Sequence, residues 1–310
     1  MNTVETQITV YNPRAGSLFP AGVALERLCT GAQWGEGPVW IDEAQVLLWS
    51  DIPNNRMLCW SERDGMTIWR DGVEFTNGHA RERDGSILHC SHGQRAIVRT
   101  RLRAGLGLTQ DEIVVDRFEG KRLNSPNDII VKSDDTIWFT DPPYGIVSDR
   151  EGHAAESELG DNYVFRYDPR TRTLAVVSDF VEEPNGLAFS PDESVLYVSD
   201  TSAALRSDGG GHHHIVAFDV VAGRELTNPR IFAVIEPGLA DGFRVDRQGW
   251  IFTSSADSVQ VYHPDGTRIA RIGVPEKVAN LTFGGPDGDE LYICASTSLY
   301  RIRVNTRGAT

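Results

Sequence analysis

Six side chains that carry oxygen, Glu36, Asn77, Asn127, Asn185, Asp241 and Asn280, each stand at the head of a strand-like run in this chain. Two carboxylates and four amides, with no Lys, Arg, Cys or His among them, make a hard-oxygen donor set. Such a set suits a calcium ion, which takes about 6–8 oxygens in loose geometry, whereas zinc is usually bound by His or Cys. A lone Asn or Asp before a strand more often caps a turn. Recurrence at six aligned places points instead to side chains that must converge.

The elements that would bring them together are repeated. The segments are "EGPVWIDEAQVLLWSD" (36–51), "NGHARERDGSILHCSH" (77–92), "NDIIVKSDDTIWFTD" (127–141), "NGLAFSPDESVLYVSD" (185–200), "DGFRVDRQGWIFTSS" (241–255) and "NLTFGGPDGDELYICAS" (280–296). Each reads as a strand, an Asp- or Gly-bearing turn and a second strand of Val, Ile, Leu, Tyr, Trp or Phe, which is a β-hairpin pattern. "HARERD" in the second is the least regular. Further strand-like runs, such as "RMLCW", "YVFRYD" and "HIVAFDV", fill the gaps, and apolar alternation dominates throughout. Four strands per unit and six units predict an all-β, six-bladed β-propeller. The last unit lacks a fourth strand after "LYRIRVN", and "GVALERLCT" (22–30) is expected to supply it, closing the ring and leaving no open edge. Residues 1–21 then form an N-terminal tail and 22–310 a single domain. The first strand of each blade lines the central channel, so the six mouth residues face one small space.

The formal charge of −14 disfavours nucleic acid and anionic membranes as partners, since either needs clustered Lys and Arg. No apolar run reaches the roughly 18 residues of a membrane span. The first 20 residues lack a basic start and an apolar core, so no secretory signal is expected. Cys29, Cys59, Cys90 and Cys294 lie in or beside strand-like runs with no CxxC pair, as for reduced thiols in a cytoplasmic protein. The expected state is a monomer or small homo-oligomer.

With "WGEGPVW", "RLNSPNDIIVKSDDTIWFTDPPYG", "PNGLAFSPDESVLYVSD" and "LADGFRVDRQGWIF" in view, the chain resembles the family of senescence marker protein (regucalcin), gluconolactonase and luciferin-regenerating enzyme over about residues 25–305. It is most similar to bacterial gluconolactonase-like members. The resemblance implies a six-bladed propeller with one divalent cation in the channel. Calcium is the leading candidate, with zinc, magnesium or manganese as alternatives. It implies Glu36, Asn185 and Asp241 as metal ligands. Asn127 matches a position that binds substrate in some members and metal in others. "NSPND" departs from the animal proteins, which carry an Arg two residues before the amide, where this chain has Ser125.

The resemblance implies hydrolysis of a sugar lactone, with the cation polarising the carbonyl and Asp241 as general base and acid. Asp200 is a second candidate base and metal-bound hydroxide a third. Asp200 shares its strand-end place with Asp51 and Asp141, which points to a structural role for all three. His79, His92 and Tyr144 are candidate substrate contacts. A phosphotriesterase-like or other ester hydrolase on the same metal is an alternative, as is a non-catalytic propeller that binds calcium or protein.

Overall fold

A computed structural model describes residues 2–103 and 106–309. The fold is a six-bladed β-propeller of four-stranded antiparallel blades, as the hairpin repeat predicts. The inner two strands of the blades are Gly35–Ile41 and Val46–Asp51, Thr76–Arg81 and Ile87–Ser91, Ile129–Val131 and Ile137–Asp141, Pro184–Phe189 and Val195–Asp200, Phe243–Val245 and Ile251–Thr253, and Val278–Gly284 and Glu290–Ala295. We number the blades 1 to 6 in that order. Among the described residues the only helical pieces are three 3-10 turns.

The ring closes through the N-terminus. Leu25–Thr30 pairs with Ser298–Arg303, with Leu299 opposite Cys29, and so supplies the fourth strand of blade 6. The residues before it also join sheets. Asn2–Val4 adds a fifth strand outside Leu25–Thr30, and Ile8–Val10 adds one to blade 5 along Arg268–Gly273. The segment read as a tail therefore covers the outer edges of two blades.

Alternation explains the packing. In blade 1, Leu47 and Trp49 point toward blade 6 and pack with Tyr292, Cys294 and Leu299. Their neighbours Val46 and Leu48 point the other way and pack with Cys59 of the same blade and Ile87 of blade 2. Side chains in a strand face opposite sides with a period of two, so one apolar strand feeds two interfaces. The described residues form six buried apolar clusters, one at each blade–blade interface. Each fully buried Leu, Ile or Phe contributes about 1.5–3 kcal/mol. The four cysteines are free, and three of them are buried.

Where blades meet at the axis, the chain is held too close for side chains. A Cβ on Gly186 would lie 2.4 Å from the Asp241 carbonyl oxygen, and one on Gly37 would lie 2.1 Å from that of Asn77. Both glycines directly follow a mouth residue. The backbone N–H of Gly186 donates to the Asp241 carbonyl at 3.0 Å, and the Ser199 hydroxyl donates to the same oxygen at 3.2 Å. Neighbouring blades are thus bolted together at the channel-mouth residues.

Candidate functional site

The inner ladders are irregular at the channel mouth. Register shifts fall between Glu36 and Val39, Thr76 and His79, Pro184 and Leu187, and Val278 and Asn280. A bulge of this kind bends the strand and re-aims a side chain. Five of the six mouth residues, Glu36, Asn77, Asn127, Asn185 and Asp241, line one cavity of about 420 Å³ at one end of the channel. Tyr144, Thr201, Trp34, Glu151 and Lys277 contribute to its walls, and Ile52, Val147, Leu205 and Leu239 give it apolar parts.

The amides form a chain across the floor. Asn77 Nδ2 donates to Asn127 Oδ1 at 2.8 Å, and Asn127 Nδ2 donates to Asn185 Oδ1 at 2.7 Å. Asn185 Nδ2 donates in turn to Thr201 Oγ1 at 3.2 Å. Each carbonyl oxygen in this relay keeps a second lone pair. Donating N–H groups away around the ring fixes which atom of each amide faces its neighbour.

Asn280, the sixth mouth residue, stands outside the cavity lining. Its Oδ1 accepts from the backbone N–H of Leu281 at 2.8 Å, and its Nδ2 donates to Glu36 Oε2 at 2.9 Å. Glu36 Oε2 also accepts from the Gly37 N–H at 3.0 Å. The other carboxylate oxygen, Glu36 Oε1, is buried with no hydrogen-bond partner. A buried, unpaired carboxylate oxygen is costly. Burial pushes the Glu36 carboxyl well up, and Asp241 pushes it further. Burial also pushes Asp241 up, against the opposing pull of Lys277 and the Asn185 amide.

These residues fit a hard divalent cation. The orphaned Glu36 oxygen, the second carboxylate of Asp241 and the amide oxygens of Asn127 and Asn185 supply oxygen donors only, which suits calcium better than zinc. Among the described residues no three His, Cys, Asp or Glu side chains gather into a metal-binding group. Glu36 and Asp241 are the two carboxylates of the floor, with Glu151 in the wall and Asp128 buried nearby both acting on Asp241.

The other candidates separate. Tyr144 lines the cavity, and its hydroxyl is hydrogen-bonded to Thr201 Oγ1. His92 is buried behind the floor, with Nε2 3.3 Å from Asn77 Nδ2 and Nδ1 2.9 Å from the Glu151 carbonyl. His79 does not reach this cavity. It lines a separate cavity of about 340 Å³ among Val39, Ile129 and Phe283, with Nδ1 on the Gly37 carbonyl. Two residues past Asn77, it lies roughly 7 Å further along its strand. Asp200 accepts from backbone N–H groups on both oxygens, from Glu182 at 3.0 Å and Ser202 at 3.0 Å. Asp51 likewise accepts from the Gln33 N–H at 2.8 Å, and Asp141 from the Asn124 N–H at 2.8 Å. The strand-end aspartates hold the loops that follow and precede them. His212, in the loop before blade 4's third strand His214–Val221, and His214, the first residue of that strand, have ring centroids 4.7 Å apart.

Sequence reasoning missed Lys277, Thr201, Trp34 and Glu151. None belongs to a repeated motif, because each sits in a loop that differs from blade to blade. The capping role of Asn280 was also missed, since its type alone marks it as one more ligand.

Known proteins share this architecture. The family described as the SMP-30/gluconolactonase/LRE-like region matches residues 34–297. A gluconolactonase of Zymomonas mobilis is 33% identical over 97% of this chain and 87% of its own length. A pentonolactonase of Haloferax volcanii is 29% identical over 85% of this chain and 82% of its own. The solved structure of a gluconolactonase from Xanthomonas campestris superposes with a TM-score of 0.88 at 36% identity, covering 97% of this chain and 96% of that one. The family match spans most of the sequence, and the chain belongs to the SMP-30/gluconolactonase/LRE-like family.

Proposed function

We propose that this protein is a lactone hydrolase that opens sugar lactones with the help of one divalent cation, most simply calcium. The observation that carries the reading is the convergence of Glu36, Asn127, Asn185 and Asp241 on the floor of one cavity, with Glu36 Oε1 buried and unpaired. Its family and its likeness to gluconolactonases and a pentonolactonase support the substrate class.

Glu36, Asn127, Asn185 and Asp241 would hold the cation through their side-chain oxygens. The cation when bound supplies a Lewis acid for the lactone carbonyl. Asp241 takes a proton from the attacking water and returns one to the ring oxygen as the acyl C–O bond breaks. The Gly186 N–H and the Ser199 hydroxyl fix the Asp241 carbonyl, and the Ser254 hydroxyl accepts from its N–H at 2.8 Å, so the base cannot drift. Asp200, with backbone donors on both oxygens, is the poorer base. Tyr144 and Asn77 line the same cavity and would offer polar contacts to the hydroxyls of a polyol ring.

The test is a panel of aldonolactones, simple alkyl lactones and an aryl ester, assayed after chelation and after return of calcium, zinc, magnesium or manganese. The expected result is metal-dependent turnover that favours aldonolactones. Equal turnover in the chelated protein would overturn the metal reading, and preference for the aryl ester would overturn the substrate class.

A further inference from the structure

Lys277 stands at the edge of the cavity, one residue before the inner strand Val278–Gly284 of blade 6. Its ammonium lies 5.0 Å from the centre of the Trp34 ring, the distance of a cation–π contact. Among the described residues no carboxylate comes within ion-pair distance of that ammonium. Elsewhere the protein pairs its cations freely, as in Arg56 with Asp51 at 2.9 Å and Lys132 with Glu193 at 2.7 Å. A cation braced on an aromatic face at the rim of a cavity, acting on Asp241 and Glu151 without touching either, can receive an incoming negative charge.

The charge balance of the site says when that charge arrives. Glu36 and Asp241 on the floor carry two negative charges at most, which one divalent cation would neutralise, and Glu151 in the wall adds a third carboxylate near Lys277. Hydrolysis then adds water across the acyl C–O bond of a neutral lactone. The hydroxyl goes to the carbonyl carbon, the ring oxygen leaves with the bonding pair and gains a proton, and the new acid loses a proton to solvent. A neutral substrate thus becomes an anionic aldonate inside the cavity, and the carboxylates cannot meet that charge. Arg150 is the other cation lining the cavity, and it is 68% exposed and 3.9 Å from the Glu151 carboxylate. Lys277 is exposed too, but its ammonium is braced on Trp34 and touches no carboxylate among the described residues.

Resting on the lactonase reading, we propose that Lys277, braced by Trp34, is the anion-recognition residue of this site: it binds the carboxylate of the aldonate product and stabilises the negative charge that builds on the acyl oxygens before it. The neutral lactone gains little from it. Lys277 thereby favours substrates whose acyl group sits on the blade 6 side of the cavity, and it makes the enzyme sensitive to its own product.

The experiment titrates sodium gluconate calorimetrically into the protein in excess calcium, beside steady-state hydrolysis of glucono-1,5-lactone. Wild type, Lys277→Met, Lys277→Arg and Trp34→Leu are compared, with calcium occupancy and melting temperature measured for each. Lys277→Met is expected to weaken gluconate binding and to lower kcat by roughly five- to tenfold each, because the site is part-solvated, with KM for the neutral lactone nearly unchanged. Lys277→Arg should keep most of the gluconate affinity, and Trp34→Leu should lose part of it. Added salt should weaken gluconate binding in wild type and much less in Lys277→Met. Unchanged gluconate affinity in folded, calcium-loaded Lys277→Met, with wild type active, would overturn this inference and leave the lactonase reading standing. A wild type that hydrolyses no lactone would overturn both.

Discussion

Asn280 donates its amide to one oxygen of Glu36 at 2.9 Å, and the other oxygen of the same carboxylate is buried with nothing to accept. The two residues come from opposite ends of the chain and meet because blades 1 and 6 are neighbours in the ring. One oxygen is anchored by Asn280 and the Gly37 N–H, so the remaining one has a fixed direction.

Removing the anchor should therefore weaken the cation site without removing a ligand. Asn280→Ala is expected to lower calcium affinity by about 10–100-fold, the usual effect of losing a partner that orients a ligand. Turnover at saturating calcium should stay near wild type. Calorimetric titration of calcium checks the first part. Unchanged affinity would mean that Gly37 alone holds Glu36.

Asp241 and Asn185 should fail in different ways. Asp241→Asn keeps an oxygen of similar size and loses the proton acceptor, so lactone hydrolysis should fall by about 10²–10⁴-fold even in excess metal. Asn185→Ser removes an amide ligand and leaves the base in place, so excess metal should restore part of its activity. Rates corrected for spontaneous hydrolysis, measured beside metal occupancy, separate the two. Near-normal turnover in metal-loaded Asp241→Asn would transfer the proton chemistry to another group.

His79 gives the protein an acid-sensitive term away from the candidate catalytic floor. Burial holds its pKa down, from 6.5 to about 4. Above pH 6.5 both folded and unfolded chains keep it neutral and its contribution is complete. As the pH falls from 6.5 toward 4, the unfolded chain takes up a proton that the folded chain refuses, and stability is lost. The loss from this residue amounts to about 3 kcal/mol by pH 4. Asp141, pushed up to about 7 by burial, acts in the opposite direction, so the total slope is a difference of terms. The comparison that isolates His79 is His79→Gln against wild type in urea at pH 7 and pH 4. The variant should gain relative stability at the lower pH, and a gap that does not change with pH would refute the assignment.

The sequence by itself determined the blade plan and the floor of the cavity. Period-two alternation, Asp- and Gly-bearing turns and the recurring mouth residue are local features, and each blade's inner hairpin is a local object. Leu25–Thr30 was legible as the missing strand because the last unit ended one strand short. Lys277, Thr201 and Trp34 were not legible, because they reach the cavity from loops without a repeat. His79 and Asn280 show the same limit in residues that the pattern did single out. Residue type records what a side chain can donate or accept, whereas its depth along the channel and its partners depend on neighbouring blades. Asn280 became an anchor because its own Leu281 N–H occupies its oxygen while Glu36 waits across the ring closure. His79 fell at the far end because each strand residue advances about 3.3 Å along the channel. Tertiary structure alone decided these matters, since hydrogen bonds between blades join residues that are distant in sequence, and no local pattern encodes which donor will arrive.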